Sequence, residues 1–160
     1  MPALVEAIDL VDFPGAPFAE SLVESAGESV RAEAGWHIAP QVTETLRIFS
    51  EGGTALVLPT LEYTVSAVRD ISGDTPVVLT GWTDRGSGIL LKSYWPAGRV
   101  LEVDVVHGYV ACPPELLPVI AHRVQASRSP GANVRLGSLS IGGDPGTPEQ
   151  DDAVLARFTL

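Results

Sequence analysis

The chain has 160 residues, which is the size of one ordinary domain with a hydrophobic core of its own. Its formal net charge is −10, from 20 acidic and 10 basic residues, so its surface repels phosphate and is unsuited to sequence-independent binding of nucleic acid. No apolar run approaches the roughly 20 residues of a membrane-spanning helix, no signal peptide is readable, and the single cysteine excludes an internal disulfide. These features indicate a protein of a reducing cytosol. The mean hydropathy of +0.21 is high for an acidic monomer and favours a subunit of an oligomer.

An amphipathic helix is predicted over residues 17–35. Apolar residues recur there at every fourth position and glutamates recur on another face, while Pro17 suits a first helical turn. Gly35 is placed to end the helix. The glutamate face is interpreted as a solvated surface.

The region 43–107 is predicted to be β-rich, because short apolar and β-branched runs alternate there with turn signals. Its connections are too short for the crossovers that parallel strands need, so the strands are expected to form an antiparallel meander. Glu51-Gly52-Gly53 is expected to turn the first two strands into a hairpin. The predicted strands are 43–50, 54–60, 63–71, 77–82, 89–94 and 100–106.

The last strand of this region passes into a helix through a corner that begins at His107-Gly108-Tyr109. The helix is predicted over 113–126, because Pro113 and Pro114 lose nothing by lacking an N–H in a first turn. The residues of the predicted structural corner are His107, Gly108, Tyr109, Pro113 and Pro114.

The remainder is expected to contain an extended arm and a short C-terminal helix. Residues 136–141 are predicted to be a short strand or extended arm, and 142–146 a flexible segment. Thr147-Pro148-Glu149-Gln150 fits the capping-box pattern of a helix start, and an apolar face of Val154, Leu155 and Phe158 follows. The fold class is therefore predicted as α+β: an N-terminal helix, about six antiparallel strands, a core helix, an arm and a C-terminal helix.

No catalytic, metal or cofactor-binding residue is predicted. None of the three histidines, His37, His107 and His122, has a second ligand at the usual spacing of a metal site. Cys112 would need a base such as His107 to act as a nucleophile, and an inert cysteine is the favoured interpretation.

Two carboxylates, Glu102 and Asp104, share one face of the last strand, but a half-exposed strand produces the same pattern without any function. A small hydrolase or transferase that uses His107 with Cys112, or this carboxylate pair, stays open as a less favoured alternative.

The order of these features resembles the head-to-tail connector (adaptor, head-completion) proteins of long-tailed double-stranded DNA bacteriophages. The resemblance covers residues 17–141 and is carried by Leu58-Pro59 before a strand, by the run from Val103 to Tyr109, and by Cys112-Pro113-Pro114-Glu115-Leu116 at a helix start. It implies a connector domain over 1–141 and an arm with a docking helix over 142–160.

The resemblance further implies a virion structural protein without catalysis, located at the head-tail junction and assembled in the host cytoplasm. The subunits would form a ring, expected to be twelve-fold, that joins the portal protein to a downstream stopper, head-completion or tail protein. DNA would pass through the ring without specific binding, no membrane would be involved, and no cofactor would be needed. Short terminal segments that order on binding suit a partner's groove. The expected partner-binding residues are Leu139, Ile141, Val154, Leu155 and Phe158.

A second alternative is a β-rich module of a phage tail or baseplate that binds a ligand or a protein. In that case the three tryptophans, Trp36, Trp82 and Trp95, would be exposed platforms.

Overall fold

The computed structural model describes residues 2–128, 134–136, 139–141 and 148–160. The described residues form three α-helices, two larger antiparallel sheets of seven strands in all and a separate two-stranded sheet, so the predicted α+β class is confirmed. The helices are α1 (Glu20–Ala34), α2 (Leu116–Arg128) and α3 (Pro148–Leu155), and a 3₁₀ helix spans Ala7–Leu10. The strands are β1 (Val42–Ser50), β2 (Gly53–Val57), β3 (Tyr63–Asp70), β4 (Val77–Val78), β5 (Thr83–Asp84), β6 (Ile89–Trp95) and β7 (Arg99–His107), followed by a separate pair, β8 (Val134–Leu136) and β9 (Leu139–Ile141).

The chain divides into two compact units. Unit 1 consists of Met1–Gly35 and Cys112–Thr159 and holds the helices, and unit 2 consists mainly of Trp36–Ala111 and holds the seven strands. The sequence pattern predicts a different division, with 142–160 separate from the rest, and residues 142–147 at that boundary lie outside the described residues. None of the helices in the described part of the chain has the length and apolar character needed to cross a membrane.

Helix α1 packs on α2 in unit 1 through a fully buried apolar stripe that includes Val23 and Val30. It begins three residues later than predicted, because Ala19 takes the extended conformation of an N-cap. It ends at Gly35, whose φ of 80° allows its N–H to bond the carbonyl of Arg31 at 2.9 Å. The predicted C-terminus of this helix is confirmed to within one residue.

Helix α2 starts at Leu116 rather than at Pro113. Pro113 and Pro114 form the preceding turn, in which their carbonyls accept the N–H groups of Leu116 and Leu117 at 2.9 and 3.3 Å. The helix runs two residues past the predicted end, to Arg128. Its buried side chains are Leu116, Val119, Ile120, Ala121 and Val124.

Unit 2 is built from two antiparallel sheets with the strand orders β1-β7-β3-β4 and β2-β6-β5. The predicted hairpin of the first two strands is wrong, since β1 pairs with β7 over its whole length and β2 pairs with β6. Gly52 and Gly53 have φ values of 92° and 91°, and the chain passes through them from one sheet to the other. The predicted strand 77–82 is also shorter in the structure, where only Val77–Val78 pairs with β3.

The core of unit 2 lies between the two sheets, because side chains of both sheets contribute to one buried cluster. Trp95 at its centre is completely buried, and its indole N–H donates to the carbonyl of Leu90 at 3.3 Å. The buried members of the cluster are Leu56, Leu58, Val68, Leu90, Trp95, Leu101, Val103 and Val105.

Candidate functional site

The corner after β7 is held by backbone hydrogen bonds to two other segments of unit 2. The N–H of Gly108 donates to the carbonyl of Glu62 at 2.9 Å, and the N–H of Tyr109 donates to the carbonyl of Ile38 at 2.7 Å. Gly108 has a φ of 90°, and a Cβ there would lie 3.1 Å from the carbonyl oxygen of Ile38. Only glycine fits both the conformation and the space. The ring of Tyr109 lies 6.1 Å from that of Trp36.

His107 is buried, with only 3% of its surface exposed. Its Nε2 donates to the Glu44 carboxylate at 2.7 Å, and its ring meets that of His37 edge-on with 5.7 Å between centroids. Nδ1 of His107 has no hydrogen-bond partner among the described residues. Because an unpartnered N–H is costly in a buried place, this contact favours the tautomer with the proton on Nε2. The sequence predicts His107 as part of a structural corner, but its partner Glu44 is not predictable from the sequence, because the proximity of the two residues depends on the register of β1 against β7.

Cys112 lies in unit 1 and is half-buried, with its thiol directed to the carbonyl of Pro113 at 3.6 Å. Burial, with a smaller contribution from the charge of Asp9, raises the pKa of the thiol to about 12. The thiolate is the nucleophilic form, so the neutral thiol near pH 7 is poorly suited to covalent catalysis. Of the flanking prolines, Pro113 is buried and Pro114 is exposed.

The carboxylates of Glu102 and Asp104 are occupied by cross-strand partners on the outer face of the β1-β7-β3 sheet. Arg69 contacts Asp104 at 2.6 Å, and Arg47 contacts Glu102 at 3.1 Å. The hydrogen bond from Arg69, followed by the hydrogen bond from Thr45, holds the pKa of Asp104 below its ordinary value. The pair therefore acts as part of an ion-pair ladder, and the described residues contain no group of three or more His, Cys, Asp or Glu side chains arranged to hold a metal ion.

The tryptophans do not form an exposed platform. Trp95 and Trp36 are 0% and 5% exposed, and Trp82 packs in part against the core. This placement weighs against the alternative of a binding module that presents all three rings to a ligand.

The expected docking helix α3 packs within unit 1. Leu155 and Phe158 are buried, at 1% and 6% exposure, while Val154 is half-buried. His122 on α2 contacts the Asp151 carboxylate through Nδ1 at 3.2 Å. In this conformation Leu155 and Phe158 pack in the core of unit 1, and of these three residues Val154 is the one with a partly exposed side chain.

The other two expected partner-binding residues, Leu139 and Ile141, lie on strand β9. That strand pairs with β8 in the register Val134↔Ile141 and Leu136↔Leu139. Residues 136–141, predicted to be a short strand or extended arm, thus contain the end of β8 and the whole of β9, and residues 137 and 138 lie outside the described residues.

Comparison with known proteins finds solved structures of similar fold. No protein-family model matches the chain, and no curated protein is similar to it in sequence. A solved chain described as the neck of an empty GTA (gene transfer agent) particle, computed with C6 symmetry, aligns over 98% of this chain and 90% of its own length, with a TM-score of 0.65 and 17% identity. A chain from the neck of the native GTA particle, computed with C12 symmetry, aligns over 88% of this chain and 80% of its own length, with a TM-score of 0.57 and 18% identity. This protein therefore has the fold of neck proteins of a phage-like particle, and its resemblance to head-to-tail connectors is confirmed at the level of the fold.

Proposed function

We propose that this protein is a structural protein of the neck of a phage or phage-like particle, where it forms a homo-oligomeric ring between the portal and a downstream head-completion, stopper or tail protein. The observation that carries the proposal is the fold likeness to GTA neck chains over almost the full length of both proteins. The neighbouring necks were computed with C6 and C12 symmetry, which supports a ring, and twelve copies is the proposed number.

The charge of the chain suits this role. Its excess of ten acidic groups would make the wall of a channel repel the DNA backbone, so that DNA could pass without being held. The contacts of the candidate catalytic residues support a non-enzymatic role: the Cys112 thiol is kept neutral, and Glu102 and Asp104 are bound by arginines.

The test is assembly on the purified portal protein of the same particle. We expect native mass measurement to show the portal with a stoichiometric ring of this protein, where the protein alone is a monomer or a ring. A protein that shows no association with the portal over a range of salt concentrations contradicts the proposed role.

A surface variant tests whether α3 meets the partner. Deleting residues 147–160 would also expose the core of unit 1, because Leu155 and Phe158 are buried there. Val154→Asp is a sharper probe, and we expect it to weaken portal binding about tenfold with little change in stability. Ala153→Asp adds the same charge at the neighbouring exposed position of α3 and serves as the matched control. Equal binding by both variants and the wild type would remove Val154 from the interface.

A further inference from the structure

Strand β1 is an edge strand of unusual length and regularity. It has nine residues, its described hydrogen-bonded neighbour is β7 on one side, and its register runs without a break from Val42↔His107 to Ser50↔Arg99. It contains no proline, and its charged side chains Glu44 and Arg47 are bound to β7 partners. Edge strands are ordinarily protected by short length, proline, bulges or charged side chains. Strand β1 is long, has no proline and no register shift, and its two charged side chains are paired with β7.

The other edges of the two sheets are less regular. Strands β4 and β5 have two residues each, and β2 carries a register shift between Gly53 and Ala55. The part of β3 that extends beyond β4 has a register shift between Val65 and Ala67. Among the described strands, β1 is the one that offers a long, unbroken template for another strand.

The direction of the backbone hydrogen bonds alternates along β7, and this alternation shows which backbone groups of β1 face the free edge. The carbonyl of Val100 accepts the N–H of Ile71 at 3.0 Å, and its N–H donates to Ser72 Oγ at 2.8 Å, so Val100 bonds toward the β3 side. Odd-numbered residues of β7 therefore bond toward β1, since N–H and C=O directions alternate along an antiparallel strand. By the observed register, the groups left facing outward on β1 are those of Thr43, Thr45, Arg47 and Phe49.

The side chains beside this edge are also suited to contact. Phe49 is 63% exposed, and its cross-strand partner Val100 is exposed beside it. An added strand with apolar residues would cover this aromatic side chain and pair the outward backbone groups at the same time.

The hairpin β8–β9 is a strand pair outside both larger sheets. Its two strands have three residues each and pair with one another in a sheet of their own. A two-stranded hairpin of this size is marginally stable alone. Four of its six strand residues are aliphatic, and residues 129–143 contain one arginine and no acidic group in a chain of net charge −10.

We propose that the β8–β9 hairpin of one copy adds to the β1 edge of a second copy, so that each subunit donates one hairpin and accepts one. This inference rests on the proposed ring and names the contact that closes it. Because the donor and the acceptor are different parts of the chain, the contact is heterologous, which is the class of contact that generates rings. The basic hairpin also approaches an acidic copy with favourable electrostatics.

Hydrogen exchange of the full-length protein tests directly whether the β1 edge accepts a strand from another copy. We expect the amides of Thr43, Thr45, Arg47 and Phe49 to exchange about tenfold or more slowly in the ring than in the monomer, because pairing protects backbone N–H groups. The outward amide of Val78 in β4 serves as the internal reference and should not change. A ring without new protection in β1 overturns the inference, as does protection already present in the monomer or appearing only when the portal is added.

Two variants at one position provide the matched control. Thr45→Val removes the hydrogen bond from Thr45 Oγ1 to Asp104 but keeps the outward N–H, and it should form rings like the wild type. Thr45→Pro removes the same hydrogen bond together with the outward N–H, and a proline is tolerated at such an edge position. We expect Thr45→Pro to raise the concentration needed for ring formation about tenfold or more, with its circular dichroism unchanged.

The donor is tested by replacing residues 134–141 with a Gly/Ser segment of equal length. The inference predicts loss of the ring in this variant while the units stay folded. A ring that persists in it overturns the inference and leaves the proposed function intact, whereas a wild type that forms no ring and does not bind the portal overturns both.

Discussion

His107 Nε2 and Glu44 Oε1, 2.7 Å apart, join the end of β7 to the edge strand β1. The histidine is buried and the carboxylate is about half exposed, so the contact spans the boundary between the interior of unit 2 and the solvent. It makes His107 a structural tie between two strands, and it places the corner and the proposed acceptor edge on the same pair of strands.

The first prediction concerns this contact. Glu44→Ala leaves a buried N–H of His107 without its acceptor, which should lower the free energy of unfolding by about 1–3 kcal/mol. Glu44→Gln keeps an acceptor oxygen and should lose less. Urea unfolding at pH 7 measures both, and equal stability of the alanine variant and the wild type would show that the contact contributes nothing.

Gly108 is predicted to be required for both its conformation and its space. Gly98 has a similar positive φ of 70°, but a Cβ added there would meet nothing within 4 Å, so it isolates the conformational cost. Gly98→Ala should lower the free energy of unfolding by about 1 kcal/mol and Gly108→Ala by about 2–4 kcal/mol. The second loss is larger because the added Cβ at position 108 also contacts the carbonyl of Ile38. Thermal or urea unfolding gives the comparison. Similar losses in the two variants would mean that the loop 36–40 yields without cost.

The Cys112 thiol should be unreactive in the folded protein. Its pKa of about 12 lies above the ordinary 9.0, so the thiol stays protonated at neutral pH. We expect alkylation by iodoacetamide at pH 8 to be about tenfold or more slower in the folded than in the urea-unfolded chain. The same shift predicts that stability is kept below pH 9 and declines as the pH rises from 9 toward 12, because the unfolded chain loses the proton first. Equal alkylation rates would restore the case for a reactive cysteine.

The ion-pair ladder should make the stability of the folded protein sensitive to acid. The pKa of Asp104 is below its ordinary 3.8, chiefly because of Arg69. The ionised carboxylate therefore stabilises the folded protein above about pH 4, and this stabilisation is lost as the pH falls through the lowered pKa. Asp104→Asn should therefore flatten the decline of stability below about pH 4. Arg69→Gln should have a similar effect, and the double variant should add little, since the two residues act on one interaction. Additive effects would show that the pair is not coupled.

Leu155 is predicted to hold α3 in unit 1. Leu155→Ala should cost about 2–4 kcal/mol, as expected for a fully buried leucine, whereas Val154→Ala at the half-buried neighbouring position should cost less. Unfolding experiments separate the two. If both variants lose the same small amount of unfolding free energy, α3 detaches readily from unit 1. A segment that orders only on a partner would behave in this way.

Local patterns were sufficient for the α+β class, the end of α1 at Gly35 and the β-rich region. In each case the determining signal is carried by a few adjacent residues: helical periodicity, strand alternation, or a glycine where the chain turns. The likeness to connector proteins could be drawn from the same short motifs, and the fold comparisons agree with it.

The partners across the sheet were decided by the tertiary structure alone. The pattern 43–60 predicts a hairpin, but β1 pairs with β7, whose residues lie 49 to 65 positions later in the chain, because strand register depends on long-range packing that no local signal encodes. The same pairing brings Glu44 to His107 and Arg47 to Glu102, and it leaves Thr43, Thr45, Arg47 and Phe49 at the free edge. The sequence by itself thus determined most of the segments that form strands and helices, while the packing of the two sheets decided which edge is open to another chain.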